Sequence, residues 1–207
     1  MTTEAKKKTL VCVILDESGS MATKKADVIG GFNQFLRDQK ALTVDEMRLS
    51  LTKFNTLCST VYSAMPVADV PELTEASYVP GGNTALFDAV AETVRLADKD
   101  KLEDERVLVL VMTDGQENSS RETSRDQVQA IIAERTARGT WTFAYIGENP
   151  ERWARETGAS VRNTAQYQHS DPRASFAAAS EGIHIARRSS ESKFDHVLDP
   201  DATKEDA

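Results

Sequence analysis

The 207-residue chain has a formal net charge of −8 and is 40% hydrophobic and 28% charged, which is ordinary for one globular domain. The acidic balance argues against a nucleic-acid-binding surface, because such a surface needs clustered basic residues and the one basic run is Lys6-Lys7-Lys8. The longest apolar runs, Leu10–Leu15 and Val107–Met112, are far shorter than a membrane-spanning helix.

The first half of the chain predicts a buried strand, a helix and a hairpin. Leu10–Asp16 is a continuous apolar run that ends in a carboxylate, as expected for a central strand covered on both faces. Apolar residues at helical spacing follow, and prolines then break a long loop. In chain order we expect a strand at 10–16, a helix at 23–39, hairpin strands at 48–54 and 59–65, and a loop at 66–82 with one helical turn near 72–76.

The second half repeats the alternation with clearer boundaries. Ser124 and Gln127 have the spacing of a capping box that opens a helix, and Gly139 ends that helix. Asn149 precedes another helix, which Gly158 ends. In chain order we expect a helix at 85–97, a central strand at 106–112, a helix at 125–138, a strand at 140–146, a helix from Pro150, a short strand at 160–163 and a last helix from Asp171-Pro172.

This alternation predicts a single doubly wound α/β domain with a Rossmann-like, three-layer arrangement. We expect the domain to span residues 9–188, between a flexible leader at 1–8 and a disordered acidic tail at 189–207. Cys12 and Cys58 are too few for a disulfide framework and are typical of core thiols in a reducing compartment. Because no signal peptide pattern is visible, we expect a cytoplasmic protein that does not act at membranes.

Three polar segments lie where the predicted strands end or a helix starts. Asp16, Ser18 and Ser20 follow the first central strand in "ILDESGSM", and Asp114 follows the other in "VMTDGQEN". Thr84, in "PGGNTALF", comes after two glycines that would let its backbone approach closely. In doubly wound sheets, ligands bind beyond the carboxyl ends of the strands, so these five side chains are expected to converge there.

The five side chains offer oxygen ligands without a histidine or a thiolate, which favours a hard cation: Mg²⁺ first, with Mn²⁺ or Ca²⁺ as alternatives. Two of the five groups are charged, so the ion would keep much of its charge and an open coordination position. Such an ion suits the capture of a carboxylate from a partner. A site that retains its metal for structural reasons would use more carboxylates.

The run Asp16-Glu17-Ser18-Gly19-Ser20 resembles the D-x-S-x-S signature of the von Willebrand factor type A (vWA) domain, also called the integrin I-like domain. Thr84 and Asp114-Gly115 fall where that family has the other ligands of its metal-ion-dependent adhesion site (MIDAS). The resemblance extends from about Thr9 to Ile185. The runs "GGNTALFDA" and "YIGENP" look more like bacterial and phage-encoded intracellular members than animal extracellular ones.

The resemblance implies a six-stranded, mostly parallel sheet with the second hairpin strand as an antiparallel edge. It implies that Ser18, Ser20 and Thr84 bind the metal directly. Asp16 and Asp114 would act mostly through water. The resemblance also implies a protein-binding module, in which the MIDAS metal captures an Asp or Glu carboxylate of a partner protein.

Each position also has a structural interpretation. Asp16 could cap the strand end, with the two serines in an ordinary loop. Thr84 could be the N-cap of a helix beginning at Ala85. Residues 116–119 could contact a partner at the rim of the site or form a solvated loop.

An enzyme is the alternative function: a Mg²⁺-dependent phosphatase or phosphotransferase with Asp16 as nucleophile. That chemistry needs a second acid where Ser18 stands and a lysine near the site to balance phosphate charge. Lys24 and Lys25 are expected on the solvent side of the following helix. We therefore predict a binding module and no enzyme activity.

Overall fold

The structure is a computed structural model that describes residues 7–189, 191, 194, 197 and 198. The strands are β1 (Lys8–Asp16), β2 (Glu46–Phe54), β3 (Cys58–Pro66), β4 (Glu105–Met112), β5 (Trp141–Gly147) and β6 (Thr164–Gln166). The α-helices are α1 (Lys25–Ala41), α2 (Leu86–Asp100), α3 (Arg125–Ala137), α4 (Pro150–Thr157) and α5 (Pro172–Arg188). Short 3₁₀ helices cover Gly19–Lys24, Val67–Asp69 and Val161–Asn163.

The six strands form one sheet in the order β3-β2-β1-β4-β5-β6, and β3 is the antiparallel edge strand of an otherwise parallel sheet. From β1 the chain moves outward through β2 to β3 and then returns to β4 on the other side of β1. The strand order therefore reverses between β1 and β4, where doubly wound folds bind their ligands. The predicted fold class, including the antiparallel edge, is confirmed.

The central strands are apolar throughout because helices cover both faces of the sheet. In β1, Val11, Val13 and Leu15 face the layer of α1 and α5, whereas the alternate residues face α2, α3 and α4. β4 divides its side chains between the same two layers. β1 and β4 pair in register at Leu15 and Met112, so both strands end at the same edge of the sheet.

The helices α1 and α5 pack closely because α1 has a glycine at their contact. A β-carbon at Gly31 would lie 2.4 Å from the ring of Phe176. The same ring packs edge-on against Phe32, with centroids 6.4 Å apart. This contact fixes the helix that follows the Asp16 segment.

The predicted strand at 160–163 is wrong. Val161–Asn163 is a 3₁₀ helix, and the edge strand β6 begins one residue later. The side chain of Asn163 donates to the Phe194 carbonyl (3.0 Å) and accepts from the Val197 amide (2.8 Å). The Asn163 amide also donates to the Ser160 carbonyl (3.0 Å), which closes the turn.

Several other elements also differ from the predictions. The first helix begins at Lys25, after the 3₁₀ helix, and the expected helical turn near 72–76 is a simple turn at 75–77. Lys8, predicted in the leader, is the first residue of β1, and residues 1–6 lie outside the described part.

The chain after α5 is described at only a few positions. Phe194 and Val197 are buried against the core, although they lie within the disordered acidic tail predicted for residues 189–207. Most of the predicted tail lies outside the described residues. Among the helices that the structure describes, none has the length and apolar character needed to cross a membrane.

Candidate metal centre

Asp16, the last residue of β1, is fully buried and held by hydrogen bonds on each side. Its Oδ1 accepts from the Ser18 amide (2.7 Å), and its Oδ2 accepts from the Thr113 hydroxyl (2.5 Å). The hydroxyl of Tyr78 donates to the Asp16 carbonyl (2.6 Å). The carboxylate therefore has a fixed orientation behind the loop that follows.

The two serines connect this loop to the end of β4. The Oγ atoms of Ser18 and Ser20 lie 3.1 Å apart, and the Ser20 hydroxyl donates to Oδ1 of Asp114 (2.6 Å). Asp114 is also buried. The sequence prediction that the two strand ends meet is thus confirmed by direct contact.

Thr84 reaches the same place from the loop before α2. A β-carbon at Gly115 would lie 3.4 Å from the Thr84 hydroxyl oxygen and 3.9 Å from Oδ2 of Asp16. Both oxygens therefore lie beside the same face of Gly115. The Thr84 amide donates to the Asn118 side chain (2.9 Å), and the Asn118 amide donates to the Thr84 carbonyl (3.0 Å). This exchange fixes the threonine against the β4–α3 loop.

The interpretation of Thr84 as a helix N-cap is wrong, because α2 begins at Leu86 and Ala85 holds the N-cap position. The first amides of α2 are satisfied from another loop. The Phe87 amide donates to the Glu117 carboxylate (2.9 Å), and the next amide donates to the Ser120 hydroxyl (3.1 Å). Glu117 of the proposed rim is therefore half-buried against the start of α2, whereas Gln116 and Asn118 are exposed.

Glu17 holds the glycine loop in place. Its Oε1 accepts from Lys53 (2.7 Å) and from the Val79 amide (2.6 Å). The Gly19 amide donates to the Gly82 carbonyl (3.0 Å). Gly82 has a φ of +76°, and a β-carbon there would lie 2.6 Å from the Thr56 hydroxyl, so this position requires glycine. The close contact is with Thr56, and a β-carbon at Gly81 would have no atom within 4 Å.

Lys24 is the main site residue that the sequence prediction misplaced. Its ammonium pairs with Oδ2 of Asp114 and lies 3.3 Å from Nδ1 of His169, instead of pointing to solvent. Lys24 belongs to the 3₁₀ helix, in which residues three apart lie above one another, and it therefore shares the inward side of buried Met21. An α-helix starting at Thr23 would have directed it elsewhere.

Thr113, Tyr78 and Asn118 were also missed as supporting residues. The strand register offers a signal for Thr113, because the pairing of Leu15 with Met112 places the next residues, Asp16 and Thr113, side by side. The positions of Tyr78 and Asn118 depend on loop paths that no local pattern encodes.

The site brings together two carboxyl groups and one ammonium group. Burial raises the pKa of Asp16, against the opposing hydrogen bonds from Thr113 and Ser18, and the charge of Asp114 adds to the rise. Among the described residues, the Lys24 ammonium is the one cationic group in contact with either carboxylate. A divalent cation would offset the negative charge that remains.

The donor set fits such an ion. Within the described ranges, no three His, Cys, Asp or Glu side chains form a metal cluster, so a cation here would need hydroxyl ligands beside the two carboxylates. Five oxygens from three segments suit a hard divalent cation, and the pattern lacks the nitrogen and sulfur ligands of a zinc site. They are Asp16, Ser18, Ser20, Thr84 and Asp114.

The sheet order, the two helical layers and the position of the polar loops define the vWA-domain fold, and solved structures with that fold are similar to this chain. Mussel byssus proximal thread matrix protein 1, solved with a zinc-occupied MIDAS motif, matches with a TM-score of 0.63 and 13% identity over 86% of this chain and 48% of that one. The vWF domain of the type V pili tip protein Mfa5 from Porphyromonas gingivalis matches with a TM-score of 0.62 and 9% identity over 90% and 98%. Manganese-loaded TRAP protein from Plasmodium vivax matches with a TM-score of 0.53 and 17% identity over 83% and 71%.

These identities establish the fold alone. The chain spans about half the length of the mussel protein's structures. No protein family model and no curated protein matches the sequence.

Proposed function

We propose that this chain is a divalent-cation-dependent protein-binding module. Asp16, Ser18, Ser20, Thr84 and Asp114 would hold Mg²⁺, with Mn²⁺ or Ca²⁺ as alternatives, and the metal would capture an Asp or Glu carboxylate of a partner protein. The observation that supports the proposal is the approach of three distant segments at the strand-order reversal. The Ser20 hydroxyl donates to Asp114, and a β-carbon at Gly115 would lie 3.4 Å from the Thr84 hydroxyl oxygen.

The arrangement of charges suits capture of an anion. Asp16 is buried behind the loop with both carboxylate oxygens already hydrogen-bonded, whereas Ser20 is exposed. Neutral hydroxyls leave a bound ion electropositive toward solvent, so an incoming carboxylate would be attracted. Because the chain carries a net charge of −8, the partner's carboxylate should lie in a neutral or basic surrounding.

The similar structures support the choice of a divalent cation. The mussel protein holds zinc in its MIDAS motif, and the Plasmodium protein is manganese-loaded. Their metals differ, so the hard-oxygen donor set is the argument for Mg²⁺ here.

One observation favours the phosphatase alternative, and two observations oppose it. Lys24 does lie at the site, where it could have balanced phosphate charge. However, Asp16 is fully buried and its two oxygens accept hydrogen bonds, which leaves no exposed nucleophile. Ser18 also stands where a second acid would be needed.

Direct titration with Mg²⁺ tests the proposal. Isothermal calorimetry should detect binding by the wild type, and Thr84→Ala should lose it while remaining folded. Thr136→Ala, on the distant helix α3, is the matched control and should bind as the wild type does. Capture of a carboxylate-bearing partner should require Mg²⁺ and be abolished by EDTA.

Turnover of a generic phosphoester tests the alternative. We expect none above background with Mg²⁺. Turnover that disappears in Asp16→Asn would replace the binding module with the enzyme.

A further inference from the structure

We infer that Lys24 is a built-in competitor of the divalent cation, and that its ammonium sets how weakly the site binds metal. The inference rests on the proposed metal site and adds to it a residue outside the five ligands. It concerns the affinity of the site, which the ligand set alone does not determine.

The contacts of Asp114 are the first step. One carboxylate oxygen accepts from Ser20, and the other pairs with the Lys24 ammonium, so the chain's own groups engage both oxygens. The Asp114 side chain is 1% exposed and that of Lys24 is 17% exposed. A pair with so little solvent around it is poorly screened, so a cation arriving at Asp114 would meet strong repulsion from the ammonium.

The placement of Lys24 is specific to its position in the 3₁₀ helix. Ser20 and Lys24 belong to the same short helix, so a hydroxyl ligand and the competing charge are presented together. The next residue, Lys25, instead extends to Glu75, with 2.9 Å between Nζ and Oε2. Two adjacent lysines thus have different roles, and the second is a natural control.

The Lys24 ammonium also has neighbours other than Asp114. Its Nζ is 3.3 Å from Nδ1 of His169 and 5.9 Å from the centre of the Tyr167 ring. Nε2 of His169 lies 3.4 Å from Oε1 of Glu148, so the histidine ring stands between the lysine and a second carboxylate. The ammonium thus has polar and aromatic neighbours besides Asp114 in the position that it already occupies.

The test compares Lys24→Met with Lys25→Met. Calorimetric titration with MgCl₂ should give a dissociation constant about tenfold lower for Lys24→Met than for the wild type, because a like charge beside the ion is removed. Lys25→Met should match the wild type. The metal-free Lys24→Met protein should melt at a lower temperature, since Asp114 loses its counter-ion, and Mg²⁺ should raise that temperature more than in the wild type.

The outcomes separate this inference from the proposed function. If the wild type binds Mg²⁺ and Lys24→Met binds no tighter, the role of Lys24 is overturned and the metal site stands. If neither protein binds Mg²⁺, both proposals fall. Binding by the variant but not by the wild type would support the inference, because the ammonium would then block the site outright. Lys24→Gln keeps a hydrogen-bond donor without the charge; it replaces the methionine variant if that one misfolds, with the same expected direction.

Discussion

Two groups of buried charges lie beyond the two ends of α1, and they are built differently. Beyond its C-terminal end, Arg187 and Asp45 form an ion pair in which both side chains are 1% exposed. The guanidinium also donates to the carbonyls of Gln39 (2.7 Å) and Leu42 (2.8 Å). At the N-terminal end, two carboxylates face one ammonium and several hydroxyls.

The difference separates a structural cluster from the proposed metal site. The arginine cluster is neutral and its cation is surrounded by acceptors, so it contributes to holding α5 against α1. The aspartate site has excess negative charge and hydroxyls that can become ligands. Four variants, from the largest expected effect to the smallest, test that distinction.

Arg187→Met should have the largest effect. It leaves Asp45 buried without its counter-ion, so we expect the free energy of unfolding to fall by about 3–5 kcal/mol. Urea denaturation measures this loss, and the Mg²⁺ affinity of the folded protein should not change. A loss below about 1 kcal/mol would mean that the pair behaves like a surface ion pair.

Thr84→Val should weaken Mg²⁺ binding without a comparable loss of stability. Valine keeps the shape of the side chain and the backbone exchange with Asn118, but lacks the hydroxyl. We expect the Mg²⁺ dissociation constant to rise by about tenfold or more. Thr60→Val, in β3, controls for the same chemical change. If the metal-free Thr84 variant were as unstable as Arg187→Met, Thr84 would belong to the structural class.

Asp16→Asn should abolish the Mg²⁺-dependent rise in melting temperature without lowering the metal-free melting temperature at pH 7. Because burial raises the pKa of Asp16, the folded state binds this proton more tightly than the unfolded state. Stability therefore falls as the pH rises from the ordinary aspartate pKa through the raised one, and the cost is complete above the raised value. A clear destabilisation of the metal-free variant would show that the hydrogen bonds from Ser18 and Thr113 outweigh the buried charge.

Asn118→Ala should have the smallest effect. It removes the acceptor of the Thr84 amide but none of the five oxygens, so Mg²⁺ should bind up to about tenfold more weakly. Thermal melting with and without Mg²⁺ checks this expectation. An unchanged affinity would show that Thr84 is placed by the glycine loop alone.

Much of this arrangement follows from local sequence. Continuous apolar runs predict β1 and β4 as covered strands, and strand register then brings Asp16 and Asp114 to one edge. The capping box at Ser124 and Gln127 is present as predicted. The apolar runs and the capping box depend on neighbouring residues, which is why a single sequence reveals them. The meeting of the two aspartates follows once the two strands are taken as parallel neighbours.

The remaining features depend on geometry between distant segments. The direction of Lys24 changes with the choice between a 3₁₀ and an α-helix, which its sequence leaves open. Arg187 and Asp45 are 142 positions apart, and no local pattern pairs them. The start of α2 is capped from the β4–α3 loop, so a helix-boundary signal at Thr84 was misleading.

The backbone hydrogen bonds between the three loops limit how this site could be redesigned. Hydrogen bonds join Gly19 to Gly82, Gly81 to Glu17, and Thr84 to Asn118, so the path of each loop depends on the path of its neighbour. Lengthening or shortening any of them would disrupt the others. New partner preferences would therefore have to be engineered through single exposed side chains such as Gln116, with loop length left constant.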